Sequence, residues 1–181
     1  RWAALATATT GARELLAAAY AQRLAAAALL GRPVDPMGAP SPARPAIVAR
    51  TQPLVYAFEV VAAQSAGAQR RRAESTLDDL SRLELAVSGA TSTTPGGWAL
   101  PFPVTTAAQA RRLATHVLRS AIDGAAATAG ARPTAASLED VARWSAVVQA
   151  LAVDWDVPLT AFPGASACRT TRPAPRAGSP A

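Results

Sequence analysis

Gly97-Trp98-Ala99-Leu100-Pro101-Phe102-Pro103-Val104-Thr105-Thr106 divides the chain. Two prolines flank Phe102, so the backbone on both sides is held extended and cannot continue a helix. Thr106 with Gln109 three residues on then forms a capping box that opens an amphipathic run to about Thr128. The stretch reads as a rigid strap between two pairs of helices, carrying aromatic side chains across one end of a bundle.

Residues 69–87 carry Ala73, Leu77, Leu80, Leu83 and Val87 at helical spacing. Before them, residues 46–66 are apolar almost all round, with Pro53 as a kink or first turn and Glu59 as the lone charge. That pattern belongs to a helix at the centre of a bundle. Residues 3–30 read as one long alanine-rich helix, with Leu5, Ala12, Leu16, Ala19, Ala26, Ala27 and Leu30 on the inner face and Glu14 outside. Gly31 and Pro33 stop it. Arg23 falls in line with those leucines, so it is expected to form a buried ion pair with Glu59, since an unpaired buried charge is costly. Five prolines make 32–45 a connecting strap.

Beyond the central strap, Ala110, Leu113, Ala114, Val117, Ala121 and Ala125 share one face. His116 is placed on the outer side. Gly130, Pro133 and Thr134 turn the chain into a last helix, from Ala135 to about Trp155, with Glu139 and Asp140 in its first turn as the macrodipole favours. Trp144 is placed on its flank. Trp98, Phe102, Trp155 and Phe162 are expected to pack together near one end of the bundle. Residues 165–181 read as a disordered Pro/Ala/Arg tail.

Composition narrows the function classes. The chain has 181 residues, enough for one domain with its own core, and no lysine, so all 18 basic residues are arginine against 12 acids. Three of those arginines lie in the tail, which leaves residues 1–163 only mildly basic and nucleic acid an unexpected partner. Arg70, Arg71 and Arg72 are the one run that offers an anion site; such charges at a helix start oppose the macrodipole, so the run reads better as closing the preceding helix or as a solvated cluster. The chain opens at Arg1, which suggests a missing upstream piece and leaves cytoplasmic and exported locations open. Charges interrupt every apolar run short of the ~18 residues a membrane span needs, so no transmembrane helix is expected.

With one histidine, one cysteine and no Glu-x-x-His, the ligands of a carboxylate di-iron centre or a zinc site are lacking, and no metal or other cofactor is expected. No catalytic residues are identified. There is no nucleophile elbow, phosphate loop or dinucleotide fingerprint.

Leu100-Pro101-Phe102-Pro103-Val104-Thr105 leading into an alanine/arginine helix, the close Ala161-Phe162-Pro163-Gly164, and Val55-Tyr56-Ala57-Phe58 together resemble an actinobacterial family of ferritin-like proteins of unknown function. The resemblance spans 46–164. It implies an all-α fold, a ferritin-like four-helix bundle, here with an additional N-terminal helix, over residues 1–164. The family commonly has an acidic residue and a histidine before the Val55-Tyr56 stretch, where Thr51 and Gln52 stand. The resulting expectation is a metal-free bundle acting as a structural or protein-interaction module, its partner itself or another protein. The alternatives are a degenerate ferritin-like oxidoreductase, or weak binding of RNA or an anionic surface through the arginines.

Overall fold

A computed structural model describes residues 2–32, 34, 37, 40–89, 97–131 and 134–161. The described residues form six helices: α1 (Trp2–Ala6), α2 (Thr10–Leu29), α3 (Arg44–Ala63), α4 (Gly67–Ser88), α5 (Ala107–Ala131) and α6 (Ala135–Val153). The chain is all-helical over these residues. The tail and Phe162 lie outside them.

The helix starts follow the sequence closely. Thr106 Oγ1 accepts from the Gln109 N–H at 3.3 Å, while Gln109 Oε1 reaches back to the Thr105 N–H at 2.8 Å. The reciprocal capping is therefore shifted one residue outward on its return arm. At α6, Thr134 Oγ1 accepts from the Ser137 N–H. The stop of α2 is a Schellman turn: Gly31 is at φ 85°, and the N–H groups of Gly31 and Arg32 donate to Ala28 and Ala27. Pro53 lies inside α3, and Pro45 occupies its first turn.

The single long N-terminal helix is broken into α1 and α2 at Thr7–Thr9. Thr7 Oγ1 donates to the Ala4 carbonyl at 2.9 Å, and Arg13 Nη1 donates to the carbonyls of Ala6 and Ala8. Three threonines in four residues favour such local side-chain bonds over helix continuation. The arginine then satisfies the carbonyls that α1 leaves open.

The central helix is α6, not α3. It packs against α1, α2, α3 and α5, and Leu138, Trp144, Ala146 and Val148 are fully buried. Trp144, expected on a flank, has no exposure at all. The α3 helix packs on α4 and α5 and leaves Glu59 in solvent. It is the one helix among the described residues long and apolar enough to cross a membrane, contrary to the reading of interrupted apolar runs; Ile47, Leu54, Phe58 and Val61 bury its apolar side in the core.

The rotation of α2 also differs from the expected one. Its buried residues are Ala17, Ala18, Ala21 and Ala25, which lie on alanines of α5 and α6. Leu16 is 54% exposed and Leu30 85%. The leucine stripe expected inside therefore faces out, and the helix is turned by about half a revolution. Small residues on both sides let the helix axes approach closely, which leucines would prevent.

Candidate functional site

The polar groups that fix the bundle are buried and paired. Arg44, at the start of α3, donates from Nε to Asp140 Oδ2 at 2.6 Å and from Nη1 to the Ala86 and Val87 carbonyls at the end of α4. Side-chain exposure is 12% for Arg44 and 3% for Asp140. One guanidinium thus ties three helices, and it sits where a cation favours the C-terminus of α4. Two indoles repeat a second arrangement. Trp144 Nε1 donates to Thr51 Oγ1 at 3.0 Å, and Thr51 donates to the Ile47 carbonyl; Trp155 Nε1 donates to Thr76 Oγ1 at 3.1 Å, and Thr76 donates to the Arg72 carbonyl. Each hydroxyl both accepts and donates, so no polar atom is stranded. Thr51→Val keeps the shape and orphans the Trp144 N–H; we expect a loss of about 1–3 kcal/mol in urea unfolding, with the helical content unchanged.

The Arg23–Glu59 pair does not form. Both side chains are exposed, and neither enters an ion pair among the described residues. The turn of α2 carries Arg23 outward, so nothing requires a buried counter-charge. The aromatic residues are likewise distributed rather than clustered. Trp98 packs on Tyr56, with ring centroids 5.8 Å apart; Phe102 lies against His116 at 6.0 Å with the Arg112 guanidinium over it; Trp155 meets Phe58 at 5.4 Å. The strap is pinned to α3 by one ring and to α5 by the other, so it lies along the groove between those helices rather than across the bundle end.

Beneath the strap, Arg50, Pro53 and Leu54 of α3, Pro101, and His116 and Ser120 of α5 line an open cleft of about 350 Å³. The Arg50 guanidinium lies against Gly124, where a Cβ would come within 2.1 Å of it. Of the arginine run, Arg70 pairs with Glu74 at 2.8 Å, and Arg72 donates to the Asp154 carbonyl at 2.9 Å while its guanidinium stands over the Trp155 ring. Only Arg71 of the three has no partner among the described residues. Arg72 does close a helix, but that helix is α6 and not the preceding α3. No group of three or more His, Cys, Asp or Glu that could hold a metal ion occurs among the described residues.

A second cavity, of about 220 Å³, lies between α5 and the segment after α6. Its position follows from a turn that the sequence does not advertise. Asp156 adopts φ 60°, the left-handed conformation usual for glycine, and the N–H groups of Asp156 and Val157 donate to Val153 and Ala152 in a Schellman pattern. Arg111 pairs with Asp156, and Thr115 Oγ1 donates to the Trp155 carbonyl at 3.1 Å. These two residues of α5, one turn apart, hold the turn so that Val157–Thr160 runs back beside Arg119, Ile122 and Asp123. Gln149 lines the cavity from α6. It is 2% exposed; its Nε2 donates to Ser145 Oγ at 3.0 Å, and its Oε1 has no hydrogen-bond partner.

The outward face of α2 is the third feature. Ala12, Leu16, Ala19, Arg23, Ala26 and Leu30 follow one another at spacings of four and three, the a/d repeat of a coiled-coil seam. Leu15, Tyr20 and Leu29 flank it, each more than a third exposed. No family model, no curated protein and no solved structure matches the chain.

Proposed function

We propose that the chain is a metal-free, ferritin-like helical bundle that acts as a protein-interaction module, and that its partner is a second copy of itself, bound through α2. The observation that carries this reading is the exposed heptad seam on α2. A helix whose fully buried residues are all alanines and that turns Leu15, Leu16, Leu29 and Leu30 to water lacks a partner for its larger apolar face.

The seam is complementary to itself. In an antiparallel pair about a two-fold axis, Leu30 of one copy faces Ala12 of the other, Leu16 faces Ala26, and Arg23 faces Ala19. Every large residue meets a small one, as interdigitating helices require. The arginine stem covers Ala19 while its guanidinium reaches the rim. On one flank Gln22 falls opposite Gln22 of the other copy, and on the other flank Tyr20 falls opposite Tyr20.

Sedimentation equilibrium tests the proposal. The wild-type chain is expected to dimerise, and Leu16→Glu to weaken association about 100-fold or more, because the carboxylate loses water against an alanine. Leu16→Ala and Ala26→Leu each weaken it as well. The double variant restores it by exchanging knob and hole. A wild-type monomer at all concentrations, or a double variant no better than the singles, would contradict the proposal.

A further inference from the structure

We propose that the cavity between α5 and residues 157–160 is a binding site for a small zwitterion, an α-amino acid with an aliphatic side chain. The proposal is independent of the dimer.

Besides the Thr160 hydroxyl, its polar side chains are of three kinds: a cation, an anion and an amide. Arg119 and Asp123 stand one turn apart on α5 and both line the cavity, yet neither is in an ion pair among the described residues. Opposite charges four residues apart on a helix can reach one another, so two left separate at one cavity are available to a ligand that carries both signs. Gln149 adds the third group. Its Oε1 is a buried acceptor without a donor, a costly arrangement that among the described residues it shares only with Arg13 Nε, which lies in α2 and does not line this cavity. The remaining lining, Ile122, Val157, Pro158, Leu159 and Thr160, is apolar but for the Thr160 hydroxyl.

An α-amino acid satisfies each of these groups. Its carboxylate accepts from the Arg119 guanidinium. Its ammonium donates to Asp123 and, through a second N–H, to Gln149 Oε1. An aliphatic side chain packs on Ile122, Val157 and Leu159. A simple carboxylic acid leaves Asp123 and Gln149 unmatched, and an amine leaves Arg119 unmatched. The volume points the same way, since a cavity of 220 Å³ lies below the ~300–1,000 Å³ of drug-sized ligand sites.

Isothermal titration calorimetry of the full chain with leucine, 4-methylpentanoate and leucinamide tests this. Leucine is expected to bind saturably, and the two analogues, each lacking one charged group, at least about tenfold more weakly. Asp123→Asn, an exposed substitution that leaves the core untouched, should weaken leucine and shrink its preference over 4-methylpentanoate. Gln149→Leu should weaken leucine too. Absence of saturable leucine binding, equal binding of all three compounds, or full leucine affinity in Asp123→Asn would overturn the proposal.

Discussion

Asp140→Ala is expected to destabilise the fold by about 3–5 kcal/mol in urea unfolding. The loss comes from what is left behind. Arg44 stays enclosed among α3, α4 and α6 with the Ala86 and Val87 carbonyls still accepting from Nη1, but it loses the carboxylate of Asp140, its ion-pair partner. Neutral acceptors compensate a buried cation only in part. Arg44→Met combined with Asp140→Leu removes both charges and should recover most of the loss, because breaking a buried pair costs more than replacing it with apolar groups. A loss below about 1 kcal/mol for Asp140→Ala, the range of solvent-exposed pairs, would mean that water reaches the site.

Trp144→Ala should cost about 3–5 kcal/mol, the range for emptying a large aromatic site in a packed core. The indole is wholly buried on the central helix, and its N–H is satisfied by Thr51 of α3. The truncation leaves a cavity and removes the donor to Thr51, while Thr51 keeps its bond to the Ile47 carbonyl. Trp144→Phe separates these contributions, as it retains most of the volume and loses the hydrogen bond. It should fall between Thr51→Val and Trp144→Ala. Equal effects of Trp144→Phe and Trp144→Ala would show that the hydrogen bond, and not the packing, dominates.

Local chemistry made much of the architecture readable. The Thr106/Gln109 box, the helix start at Thr134, Gly31, Pro101 and Pro103 act through their own backbones, so their effect does not wait for tertiary contacts; Pro45, read as part of the connecting strap, instead lies in the first turn of α3. The stripes of α4 and α5 were also legible, because leucine and valine mark one face clearly. On α2 the same logic pointed the wrong way. Pattern reading assigns the larger apolar residues to the core, whereas close helix packing prefers alanine inside, and an alanine-rich helix gives little contrast between faces. The Arg23–Glu59 pairing inherited that error.

The Arg44–Asp140 tie was hidden for a different reason. Its partners lie far apart in sequence, and each has an ordinary local explanation as a charge near a helix end. The Gln149 cavity depends on the Asp156 turn, whose left-handed conformation no neighbouring glycine announces. Its only sequence signal was a glutamine within an otherwise apolar stretch of α6, Ala146-Val147-Val148-Gln149-Ala150-Leu151. The separate aromatic contacts followed from the path of the strap, which proline stiffness alone does not determine.

The claim that α2 pairs with a second α2 is tested most directly by distances between nitroxide labels, placed in a Cys168→Ser background at Gly11→Cys or at Gln22→Cys. A Cβ at Gly11 meets nothing within 4 Å, so a label there leaves the bundle undisturbed. In the antiparallel register the two Gly11 labels are separated along the axis by roughly 20 residues of rise, about 30 Å, and the two Gln22 labels by only about 3 Å plus the interhelical spacing of ~8–10 Å. Double electron–electron resonance should therefore give a long distance at position 11 and a short one at position 22. Short distances at both positions, or no dipolar coupling at either, would contradict the account.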